Sequence, residues 1–120
     1  MSIEKNAHWA DHLPSGWAAL YLNLLADLAA PGCRAEVIEA KEKFGSMRIY
    51  LQHADAAART LVTAAEQQSK AICQTCGDQG ELLVRDHHFA TLCPVHGKGY
   101  SRPQRTPIVT LNLRDLSVEE

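Results

Sequence analysis

The chain is 120 residues long, 46% apolar and 22% charged, with 12 Lys and Arg against 14 Asp and Glu for a net charge of −2. That length suits one compact domain, or a small core with a metal-stapled appendage, and the near-neutral balance gives no global pull toward nucleic acid. No apolar run approaches the ~20 residues that span a bilayer, and residues 1–11 carry Glu4, Lys5, His8 and Asp11 where a signal or transit segment would be apolar or Arg-rich, so no membrane association and a cytoplasmic location are expected.

In chain order, Trp17, Leu20, Tyr21, Leu24, Leu25 and Leu28 recur at steps of three and four, which predicts an amphipathic helix over 17–30 with Ser15 as its N-cap. Pro31-Gly32 ends it, because proline cannot continue a helix and glycine tolerates the reversal. From 35 to 42 apolar and polar residues partly alternate. Phe44-Gly45-Ser46 then offers a turn, and Met47, Ile49 and Leu51 alternate with Arg48, Tyr50 and Gln52, the pattern of a β-hairpin. Asp55 is placed to cap a second helix over 56–71, with Ala58, Leu61, Val62, Ala65 and Ile72 turned to the sheet. Trp17, Tyr21 and Phe44 read as core anchors, and Cys33 as a small buried residue. The expected fold class is therefore α+β: an α-β-β-α body over 1–72, followed by a metal hairpin over 73–97 and an extended tail over 98–120.

The hairpin rests on two matching segments, Cys73-Gln-Thr-Cys76-Gly77 and Cys93-Pro-Val-His96-Gly97, with sixteen residues between Cys76 and Cys93. Each supplies two ligands three positions apart and a following glycine, so a tight turn can aim both side chains at one ion. Cys73, Cys76, Cys93 and His96 make a tetrahedral Cys₃His set, which points to structural Zn²⁺ rather than an iron–sulfur cluster. A filled shell leaves no position for water or substrate. Short strand-like runs at 81–85 and 88–92 flank Asp86-His87, completing a zinc-ribbon plan. His87 and His88 project to opposite sides of a strand, so at most one could approach the ion, and His96 is the better ligand by symmetry. Paired disulfides are disfavoured by the missing signal segment.

Two positively charged segments are candidate partner-binding sites. Lys41, Lys43 and Arg48 surround the first hairpin turn, where Glu39 and Glu42 offset them and a solvated turn with cross-strand ion pairs is expected. Lys98, Arg102 and Arg105 lie in the Pro- and Gly-containing tail, which reads as extended, with a further edge strand expected over 108–113. Residues 73–105 sum to +1, and an ion with three thiolates brings the hairpin to about neutral, so nucleic acid is the less favoured partner.

The set Gly16-Trp17, Lys41-Glu-Lys-Phe-Gly45 with Arg48 and Tyr50, and Cys73-x-x-Cys-Gly with Thr91-Leu-Cys-x-x-His96 resembles that of small bacterial and prophage-associated zinc-ribbon-like proteins over residues 15–97. The resemblance implies a stand-alone bacterial protein and, by analogy with such accessory proteins, an immunity, inhibitor or regulatory factor that binds another macromolecule. With no nucleophile, oriented base or cofactor loop in view, the favoured expectation is a non-enzymatic protein-interaction module. Nucleic-acid binding through the ribbon is the alternative, and a zinc-dependent hydrolase with an opened metal position is the remote one.

Overall fold

A computed structural model describes residues 6–104. A 3₁₀ turn at His8–His12 and a second at Ser15–Trp17 lead into helix α1, Ala18–Leu28. Strands β1, Glu36–Lys43, and β2, Ser46–Gln52, form an antiparallel hairpin, helix α2 spans Ala56–Ser69, and strands β3, Glu81–Arg85, and β4, His88–Leu92, form a second antiparallel hairpin. The chain is thus α+β, as expected. The helical stripe of α1 buries Tyr21, Leu24, Leu25 and Leu28 against Trp17, Val37, Ala40, Met47 and Ile49, and α2 adds Ala58, Val62 and Ala65. Asp55 caps α2 by accepting a 2.8 Å hydrogen bond from the Ala58 amide.

Ser15 does not cap α1: no side chain caps that helix, and the Ser15 hydroxyl instead donates to the Thr75 carbonyl at 3.2 Å. The helix starts one 3₁₀ turn later than its hydrophobic period suggests, because Trp17 is taken into the core at 0% exposure and its indole N–H donates to the Ile72 carbonyl at 2.8 Å. Both hairpins turn in two residues with positive φ, Phe44-Gly45 and Asp86-His87, the geometry that matches the strand twist. Phe44 consequently stands at a turn tip rather than in the core and is 39% exposed. A register shift between Val37 and Glu39 leaves Ile38 unpaired and exposed, as a bulged residue is.

A two-stranded sheet has two open edges, and here side chains close parts of both. On β2, the Met47 amide donates to Ser69 Oγ and the Ile49 amide to Glu66 Oε2, each at 2.9 Å, so two α2 residues spaced by three replace a third strand. On β1, the Val37 amide donates to Asn6 Oδ1 at 3.2 Å, while the Asn6 carbonyl accepts from the Tyr21 hydroxyl at 2.8 Å. Burial pushes that hydroxyl's pKa well up, so it stays a donor. Glu66 and Ser69 are polar positions on the buried face of α2, which the hydrophobic period passes over.

Glu66→Ala leaves the buried Ile49 amide without this acceptor and should cost about 1–3 kcal/mol. Urea unfolding should show a lower midpoint at unchanged slope, whereas Gln67→Ala on the exposed side of α2 should stay within about 0.5 kcal/mol of the parent.

Candidate metal centre

Helix α2 ends at Ser69 and delivers the chain through Ile72 to Cys73, and the turn 73–77 is closed by the Gly77 amide donating to the Cys73 carbonyl at 2.9 Å. The turn 93–97 repeats this, with the Gly97 amide donating to the Cys93 carbonyl at 2.8 Å. The register of β3 with β4 brings Glu81 opposite Leu92, so the two turns meet at the open end of the hairpin. Their ligand atoms, three Sγ and one imidazole nitrogen, all lie within 4.8 Å of one another.

The individual spacings test whether one ion fits. Cys76 Sγ lies 3.7 Å from Cys93 Sγ, and His96 Nδ1 lies 3.7 Å from Cys73 Sγ and 3.2 Å from Cys93 Sγ. A tetrahedron with metal–sulfur bonds of about 2.3 Å has edges of about 3.8 Å, somewhat shorter toward nitrogen. The pocket therefore fits a single four-coordinate ion bound through Nδ1 of His96. None of the four cysteines is joined in a disulfide, which removes the disulfide reading.

The proton affinities tell the same story. Burial raises the Cys73 thiol, but backbone N–H groups of Cys93, Cys76 and Thr75 outweigh it and bring it down to about 6. Cys93 is lowered by the His96 backbone N–H against burial, with help from the imidazole, and His96 is raised by the same Cys93 and Cys73 sulfurs. Cys76 accepts from the Asp78 backbone N–H, yet desolvation, the two neighbouring sulfurs and the Asp78 carboxylate carry it up to about 11. Three sulfurs this close cannot all be anionic without a cation among them.

The centre is locked onto the helical body along one seam. The Gly16 amide donates to the Gln74 carbonyl at 2.8 Å, and a Cβ on Gly16 would lie 2.1 Å from the Cys73 carbonyl oxygen. On the opposite side, Thr91 is fully buried: its hydroxyl donates to the Gly45 carbonyl at 2.5 Å, and its amide to Gln74 Oε1 at 2.9 Å. The Phe44 and Phe89 rings meet edge-on at 6.2 Å beside that contact. Since side chains alternate along β3 and β4, Leu82, Thr91 and Phe89 face the body and Leu83 and Leu92 face away.

The remaining candidates separate. His87 and His88 are exposed at the closed end of the hairpin and are not in the metal cluster. Lys41 pairs with Glu39 at 3.5 Å and lies over the Tyr50 ring at 5.6 Å, so its ion pair runs along β1 rather than across to β2. Arg48 is 4% exposed and does not belong to a solvated turn, and Lys43 is half-buried. Lys98 and Arg102 are exposed, with Arg102 Nε 3.2 Å from Glu81; Arg105 and the strand expected over 108–113 lie outside the described residues. Ser101 exchanges both backbone hydrogen bonds with Val84, at 2.7 and 2.9 Å, which lays the start of the tail along β3.

Sequence reasoning missed the outward face of this hairpin. There a groove of about 630 Å³ is lined by Leu83, Leu92, Pro94, Tyr100, Glu81 and Arg102, next to Val95, which is 64% exposed. Arg85 lies 4.5 Å over the Tyr100 ring. The alternation of β3 contained the signal, but the tail residues that wall the groove come from beyond the second metal turn. No family model, curated protein or solved structure matches the chain. Among the described residues, no helix is long and apolar enough to cross a membrane.

Two outcomes check the centre. Gly16→Ala drives a methyl group into the Cys73–Gln74 backbone, and a fall in thermal midpoint with loosened metal binding is expected. Because protons and metal compete for the same atoms, and His96 holds its proton to higher pH than an ordinary histidine, metal affinity should fall steadily from about pH 8 to about pH 5.5 in a chelator competition titration.

Proposed function

We propose that this chain is a non-enzymatic, zinc-stapled protein-interaction module of a bacterium or prophage, with its Zn²⁺ in a zinc-ribbon hairpin and its body in α-β-β-α order. The observation that carries this reading is the closed donor set: Cys73, Cys76, Cys93 and His96 supply four ligand atoms, which leaves no coordination position for a reacting water. The Cys₃His chemistry favours zinc, and free thiols suit a reducing, cytoplasmic compartment. The role of the ion is to hold together a hairpin whose own buried cluster is Leu83 and Leu92 with the two buried cysteines.

The docking surface in this reading is the outward groove. Its floor is apolar through Leu83, Leu92 and Tyr100; Arg102 and the carboxylate of Glu81 line it, Arg85 lies over the Tyr100 ring, and Lys98 is exposed two residues before Tyr100. That chemistry suits a protein partner presenting an apolar side chain between acidic residues, as an inhibited toxin or a regulated enzyme would. The pairing of Arg102 with Glu81 takes one cation away from phosphate recognition, which sets nucleic acid behind protein.

A displayed peptide library selected on the zinc-loaded chain tests this. Enrichment of Asp- and Glu-flanked apolar peptides, lost in Tyr100→Ala and reduced in Lys98→Glu, is the expected result. No enrichment, or instead tight oligonucleotide binding that weakens steeply with salt, would overturn it. Cys76→Ser should remove stoichiometric zinc while circular dichroism retains most of the helical signal; retained zinc would defeat the ligand assignment.

A further inference from the structure

The four ligands are unequally protected. Cys73 and Cys93 are 0% and 4% exposed, whereas Cys76 and His96 are exposed, which makes Cys76 the exposed thiol of the set. Cys76 also lines a second groove, of about 470 Å³, which runs between the start of α1 and the end of α2 and includes Ser15, Gly16, Asn23 and Gln68. None of the residues lining it is charged. The approach to Cys76 therefore admits a small neutral molecule and offers no charged side chain to hold an anion. On its inner side, Cys76 Sγ is 3.7 Å from Cys93 Sγ, which belongs to the other turn.

We propose that Cys76 is an oxidation site for a small uncharged peroxide, that Cys93 is its resolving thiol, and that the resulting disulfide replaces the ion as the link between the two turns. This rests on the zinc reading above. Cys76 Sγ attacks one peroxide oxygen; the O–O bond breaks, hydroxide leaves with the electron pair, and Cys76 becomes a sulfenic acid. Cys93 Sγ then attacks the Cys76 sulfur, so that the S–S bond forms as the S–O bond breaks and a second hydroxide leaves. The two thiolates give up two electrons, the peroxide takes them, and two solvent protons convert both hydroxides to water. Cys73 and His96 are left as two donors, one on each turn, and no longer hold the ion as four did. The disulfide closes the same loop, so the hairpin stays joined and docked on Gly16 and Gly45 while its metal is lost.

The test uses the zinc-loaded full chain carrying Cys33→Ser, so that the remaining thiol cannot intervene. Zinc content measured before oxidant addition reports on the zinc reading alone: a chain that neither contains nor takes up one equivalent fails there. With hydrogen peroxide, a chromogenic chelator should record release of that equivalent. Peptide mass mapping should show loss of two hydrogens in a pair linked through Cys76 and Cys93, with Cys73 still alkylatable, and dithiothreitol with added zinc should reverse both. Maleimide footprinting of the untreated zinc form should mark Cys76 before Cys73 or Cys93. Zinc retained under peroxide, a disulfide using Cys73, over-oxidised Cys76 without a disulfide, or first labelling at Cys73 or Cys93 would each overturn the proposal.

Discussion

The backbone seam between Gly16 and Cys73-Gln74 is the contact on which the rest of the arrangement depends. Two chain segments nearly sixty residues apart approach until a single methyl group would not fit between them, and one amide–carbonyl hydrogen bond is exchanged across the gap. The helical body and the metal turn are thereby parts of one packed unit. Trp17 strengthens the seam from inside, since its buried indole would lack a partner without the Ile72 carbonyl that leads into Cys73.

A second contact, Thr91 with Gly45, fixes the other end of the hairpin's inner face. With both ends held, β3 and β4 turn one set of side chains to the body and the other, with Leu83 and Leu92, to the opposite face beneath Tyr100, and the outward groove follows from that commitment. The metal turns keep the open end of the hairpin closed, and the body keeps its inner face covered. This division explains how a hairpin whose own apolar cluster is so small can present a defined surface.

Much of the fold and all of the candidate centre were legible in the residue pattern. The period of Trp17 to Leu28, the cap at Asp55, the turn at Asp86-His87 and the two Cys/His segments each encode a short-range rule, in which a few neighbours decide the local geometry. Phe44 and Arg48 were misplaced for different reasons. Phe44 is carried out to a turn tip by the positive φ angles of a two-residue connection, while Arg48 is enclosed between buried Met47 and Ile49 although its cross-strand partner Lys41 is charged. Glu66 and Ser69 were passed over because a buried polar side chain is recognisable only once the strand edge it satisfies is in view.

By itself, the sequence determined the candidate donor set and the two hairpins, because ligand spacing and turn chemistry are properties of contiguous residues. Only the tertiary structure decided which ligands face solvent, where the hairpin docks and which of its faces is free. Those depend on the close approach at Gly16, on the alternation of β3 and β4 relative to the body, and on the return of Tyr100 and Ser101 along β3. Such contacts join residues far apart in the chain, and their energies appear only when both partners are in place.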